Sequence, residues 1–190
     1  TIFEIMKTKT ARVIEKPIIK DRVTFLETAA ETAGKLTLVQ VELAPDGGNE
    51  LHYHKTFDET FTVLEGVLGI QLGTQIIYLN KGESATASTG SLHRFFNPSS
   101  SEKVVFNVLL QPGSTGFETT LQVAYGLAGD GRTNRKGVPK NLYHMALIIQ
   151  WSDTNLPGLF SWLEPVMRWL ARRAEKKGIH KALVAEYCNF

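Results

Sequence analysis

The sequence predicts a mainly β fold, a small barrel followed by helices, and three observations predict it. From Arg12 to Gln111, short apolar or alternating runs recur about every eight to twelve residues with glycine turns between them, the rhythm of a sandwich or barrel. Two of these segments, HYHKTFDE at 52–59 and GSLHRFFN at 90–97, gather three of the chain's five histidines. Beyond Gln111 the apolar residues fall instead at three-to-four spacing, the period of helices packed on one face.

Taken in order, residues 12–19 and 22–28 read as strands on either side of Lys20 and Asp21. Pro17, which cannot donate to a ladder, puts the first at an edge or in an exchanged position. Residues 35–44 alternate, with Leu36, Leu38, Gln40 and Glu42 on one side and Val39, Val41 and Leu43 on the other, until PDGGN at 45–49 breaks the strand. A ligand-bearing strand follows around His52 and His54, then strands at 59–64, 67–73, 74–79, 92–97 and 103–111.

PGSTG at 112–116 is a linker, 117–128 reads as a helix, 129–137 as a glycine-rich basic loop, and 142–151 as a helix or buried apolar segment. Residues 153–178 form the clearest helical pattern, with Leu159, Leu163, Val166 and Leu170 in a stripe that Trp162 and Trp169 widen. Pro165 either kinks this helix or opens a fresh first turn after a break at Leu163 and Glu164. The expected use of Trp162, Leu163, Val166 and Leu170 is packing on the chain's own barrel or on a dimer partner, at about 1.5–3 kcal/mol per large side chain. The run Arg168, Arg172, Arg173, Lys176, Lys177 and Lys181 then becomes a solvated face, with docking on a membrane surface as the alternative.

The composition, 43% hydrophobic and 21% charged over 190 residues, is that of a soluble globular protein. The formal charge of +2 divides unevenly: residues 1–116 carry 11 Lys and Arg against 13 Asp and Glu, and residues 117–190 carry 10 against 6. A slightly acidic barrel gives no reason to expect a nucleic-acid partner. Cys188, the single cysteine, cannot form an intrachain disulfide, and no apolar run suggests a leader or a membrane span, so a cytoplasmic location is expected.

The chemistry is concentrated in four residues. His52 and His54, two apart on extended chain, present their imidazoles to one side, and Glu59 follows far enough on for the chain to turn back beside them. With His93 they make a nitrogen and oxygen donor set suited to one divalent transition metal: Fe, Mn, Ni, Zn or Cu. Phe61 and Val63 share a face with Glu59, and Phe95 and Asn97 share one with His93, so these four are candidates for lining a substrate site. Ser88 lacks the turn and base of a nucleophile, and His144 and His180 have no companion ligand at useful spacing.

The spacing resembles the cupin family. Its first motif, G-x5-H-x-H-x3,4-E-x6-G, is met by His52, His54, Glu59 and Gly66, with Asp46 in place of the opening glycine. Its second, G-x5-P-x-G-x2-H-x3-N, is met by Gly82, Gly90, His93 and Asn97, with Ser88 in place of the proline. The resemblance implies a double-stranded β-helix, or jelly-roll barrel, over residues 1–116 with its motif core at 34–111, and C-terminal α-helices over 117–190. It further implies a mononuclear metal site and an enzyme acting on a small oxygen-rich molecule, dioxygenase- or isomerase-like. The alternative is a non-catalytic cupin that binds or senses a small ligand. A homodimer is expected, since cupins commonly cover exposed sheet edges by pairing barrels.

Overall fold

The computed structural model describes residues 12–16 and 21–189, apart from the side chains of 16 and 159–161. Pro17 and the edge position read for it lie outside the described residues. Among the described residues nine strands come first: β1 Arg12–Lys16, β2 Asp21–Glu27, β3 Thr37–Leu43, β4 Asp58–Glu65, β5 Leu68–Leu72, β6 Gln75–Leu79, β7 Ser84–Ala87, β8 His93–Phe96 and β9 Val104–Gln111. They pair antiparallel into a six-stranded sheet, order β1-β2-β3-β9-β4-β7, and a three-stranded sheet, order β6-β5-β8. Chain neighbours β4 and β5 belong to different sheets, and β9 returns between β3 and β4, so the strands wind from sheet to sheet as in a jelly roll.

Alternation decides which face is inside. In β3, Thr37, Val39, Val41 and Leu43 are buried, and in β4 Glu59, Phe61 and Val63 are. The outward threonines of β4 bond across the sheet, Thr60 to Thr86 and Thr62 to Ser84 at 2.8 Å each. The core between the sheets gathers Phe57, Phe61, Phe106, Leu68, Ile70 and Leu110 among others. Strand β7 was not among the expected strands; SATA is short, and Ala87 is its one fully buried side chain.

Four α-helices follow: α1 Thr115–Gly129, α2 Leu142–Trp151, α3 Glu164–Lys176 and α4 Ile179–Tyr187. Ser114 caps α1 by accepting from Phe117 N, and Asn141 caps α2 by accepting from Tyr143 N and His144 N. Helix α1 presents two stripes: Phe117, Leu121 and Tyr125 pack on the barrel core, while Val123 and Leu127 belong to a second core with Ala146, Leu147, Ala171, Ala174 and Leu183. Buried Glu118 fixes the junction by accepting from Ala29 N at 2.6 Å and Thr37 Oγ1 at 2.5 Å. At Gly126 the Tyr187 ring of α4 occupies the space a side chain would fill, which lets the two helices approach.

Of the two outcomes expected at Pro165 the structure has the break: a 3-10 helix spans Gly158–Leu163, and α3 begins at Glu164 with Pro165 in its first turn, where the missing N–H costs nothing. The expected packing on the chain's own barrel needs correction: Leu170 joins the second core instead, and the other large apolar residues of the stripe face outward. Trp162 is 81% exposed, Trp169 56%, Val166 49% and Leu163 47%, whereas Ala171 and Ala174 are fully buried. Small residues hold the interior positions because the helices of this second core meet closely. Among the described residues, no helix is long and apolar enough to cross a membrane.

Candidate metal centre

His52 and His54 do not lie on a regular strand, as expected, but in a loop held by single-residue bridges. His52 exchanges backbone hydrogen bonds with His93, at 3.0 and 2.8 Å, and Tyr53 exchanges a pair of 3.0 Å with Asn155. The alternation survives without the strand: His52 and His54 are buried, and Tyr53 between them is half-buried. Glu59 stands on β4 between Leu110 of β9 and Ala87 of β7, and His93 opens β8. The two sheets thus bring His52, His54, Glu59 and His93 together, one ligand atom from each within 4.8 Å of all the others.

Each imidazole is aimed by its far nitrogen. His52 Nδ1 lies 2.8 Å from Glu50 O, His93 Nδ1 2.9 Å from Ser91 O, and His54 Nδ1 3.2 Å from Asp153 O. A carbonyl only accepts, so in each ring Nδ1 carries the proton and Nε2 turns a lone pair to the centre. Two of these lone pairs, on His52 and His54, face each other at 3.0 Å. Such a pair repels unless a proton or cation stands between them. A separation of 3.0 Å also matches neighbouring ligands on a first-row metal with bonds of about 2.0–2.1 Å. His93 Nε2 and Glu59 Oε2 are 2.8 Å apart, and His54 Nε2 and Glu59 Oε2 3.5 Å. The donor set therefore fits a divalent transition metal.

The electrostatics agree. Burial, followed by the charges of His93 and His54, pushes His52 down to about 4, so its ring is neutral near pH 7. Burial alone would raise the Glu59 carboxyl, but the His54 and His93 rings, which donate to it when a second proton sits on Nε2, outweigh burial and hold the group well below the usual carboxylate range. Burial would likewise lower His93, yet its hydrogen bond to Glu59 raises it. The cluster presents a carboxylate and a neutral imidazole, with His93 the group on which a proton competes.

Residues outside the motif complete the site. Phe57 stacks on the His54 ring, centroids 4.4 Å apart, and Phe61 lies 6.2 Å from the ring of His93. Phe95 packs 5.9 Å from Phe61, while Val63 is in the core one step further along β4. Asn97 is buried with its amide committed elsewhere: Nδ2 donates to Leu43 O, Ala44 O and Glu102 O, and Oδ1 accepts from Ser99 N. These bonds clamp a corner of the barrel. A cavity of about 320 Å³ lies beyond the ligand loop, lined by Tyr53, Lys55, Ile149, Asp153, Leu163 and Met167 among others, and none of the four ligand residues borders it.

Asp153 was not anticipated as a site residue. Besides its carbonyl on His54, its carboxylate accepts from Lys55 N at 2.6 Å and Thr56 Oγ1 at 2.9 Å, so it holds the ligand loop from the helical side. Its φ of +50° is left-handed, a conformation that Asp tolerates and Gly adopts freely. Asp153→Gly therefore deletes the carboxylate bonds without straining the backbone. It should weaken transition-metal affinity by about 10–100-fold, as loss of outer partners of a ligand does, with the far-UV spectrum unchanged. Competition titration against a chromophoric chelator measures it, and an unchanged affinity would count against a positioning role.

Residues 39–110, within the barrel, match the cupin domain family. No curated protein matches the chain. Among solved structures, KdgF from Halomonas sp. is similar at 16% identity over 50% of this chain and 81% of that one, TM-score 0.45. An RmlC-like cupin from Shewanella frigidimarina NCIMB 400 is 14% identical over 58% and 91%, TM-score 0.49. The cupin domain of an XRE family transcriptional regulator from Enterobacter cloacae is 22% identical over 48% and 95%, TM-score 0.44.

Proposed function

We propose that this chain holds one divalent transition metal on His52, His54, Glu59 and His93 and is a metal-dependent enzyme acting on a small oxygen-rich molecule, dioxygenase- or isomerase-like. The observation that carries the reading is the pair of Nε2 lone pairs facing each other at 3.0 Å, each fixed by a carbonyl behind its ring. When bound, such a metal supplies a redox or Lewis-acid centre. The chain's own residues orient and balance it. Three backbone carbonyls fix the imidazole tautomers, Glu59 contributes one negative charge, and Phe57 and Phe61 keep the surroundings dry. Three imidazoles and one carboxylate leave positions open on a metal that takes five or six ligands, and an oxygen-rich substrate would enter there.

The test is metal analysis of the purified chain, before and after anaerobic loading with iron, followed by oxygen-uptake and product screens over catechols, diketones and thiols. Turnover that requires the metal supports the reading; failure to retain any transition metal after loading sinks it. A second reading has its own support: Asp153 O on His54 links the barrel to the helices, a route by which a non-catalytic cupin could signal that a ligand has bound. Ligand binding without turnover across the screen favours that one.

A further inference from the structure

The outward face of the 3-10 helix and α3 is divided along its axis. Trp162, Leu163, Pro165, Val166 and Trp169 are exposed at its start, and Arg172, Arg173, Lys176 and Lys177 at its end. Both acids of α3 are turned away from that face and engaged: Glu164 with Lys55 at 3.1 Å and Arg168 at 3.4 Å, Glu175 with Gln150 at 2.8 Å. What remains outward is cationic or apolar. Helix α3 does not depend on this face for its packing, which runs through Ala171, Ala174, Met167 and Leu170 into the helical core.

We propose that this face docks the protein on an anionic lipid surface. Exposed tryptophans beside aliphatic residues suit the boundary between headgroups and acyl chains, and the cations that follow suit lipid phosphates. Arg173 lies over the Trp169 ring at 5.4 Å, so its charge is held at the border between the two zones. A second copy of the chain offers this cationic end no opposite charge on the same face, whereas lipid phosphates do. The helix lies on the surface and does not cross it, in keeping with its 13 residues. The proposal stands apart from the metal reading and shares no residue with the ligand set.

The experiment uses the whole chain with vesicles of phosphatidylcholine alone and of phosphatidylcholine with about one third phosphatidylglycerol. Expected is co-sedimentation with the anionic vesicles only, with a blue shift of tryptophan emission, and release as salt shortens the screening length. Arg172→Gln, Arg173→Gln and Lys176→Gln together should weaken partition on the order of a hundredfold, about fivefold for each cation removed. Trp162→Ser with Trp169→Ser should abolish the blue shift. All five positions are exposed, so the variants should keep the parent far-UV spectrum, which is checked alongside. Equal binding to both vesicle types, or anionic binding untouched by the triple variant, overturns the proposal. So does a failure to bind lipid combined with a solution dimer or an acidic protein complex that the tryptophan variant disrupts, which would assign the face to a protein partner.

Discussion

Replacing His54 or His93 with glutamine is expected to take transition-metal content from the proposed one equivalent per chain to near none. Each substitution removes a lone pair aimed at the centre, and the remaining three donors cannot rebuild the set because each is fixed by its own neighbours: Glu50 O behind His52, and β7 and β9 on either side of Glu59. Metal analysis after dialysis checks it, and full stoichiometry in either variant would refute the ligand assignment. The same geometry sets the pH dependence. His93 is raised by Glu59, so below that raised value a proton occupies the nitrogen the metal needs, and apparent affinity falls as pH drops through the histidine range. His52, lowered to about 4, adds its own competition only in more acidic solution. A titration at several pH values should therefore show weakening that starts at or above the ordinary histidine value and steepens in acid.

Phe106→Ala is expected to cost about 3–5 kcal/mol, a large share of the roughly 5–15 kcal/mol by which a domain is stable. Phe106 is fully buried on β9, paired across the sheet with Val41 of β3 and Val63 of β4, and its ring lies 5.2 Å from Phe95 and 6.4 Å from Phe61. Because β9 joins both neighbours in the larger sheet, a cavity there loosens both ladders and the Phe61 wall beside His93. Urea unfolding with and without the substitution measures it. Ile76→Thr on β6, half exposed at 49%, is the control and should stay within about 0.5 kcal/mol. A loss at Phe106 no larger than at Ile76 would mean that the hydrophobic centre lies elsewhere.

The barrel and the four residues that cluster as candidate ligands were legible because their signals are local. Alternation marks the buried face of β3 and β4, and the intervals between His52, His54 and Glu59 survive even where the expected strand is only a bridged loop. Pro165 similarly marked a break whose outcome the structure supplies. Other features carry no local signal. Asp153 reaches His54 across 99 residues and reads, in the sequence, as the start of a helix. Helix α4 was missed because Gly178, with φ of +73°, looks like the end of one helix yet also opens the next. The interior positions of α3 went to alanines, not tryptophans, since hydrophobicity alone does not say how closely neighbouring helices must approach.

The bond from His54 to Asp153 makes the barrel and the helices one thermodynamic system. If a cation in the barrel favours the ring orientation that this carbonyl stabilises, then by reciprocity whatever holds residues 153–155 in place must favour the cation by the same free energy. The helices are then more than an appendage. With a metal on that cluster, any event on their outer face that stiffens or loosens their seat on the ligand loop would be felt as a change in its affinity, with no contact to the metal itself.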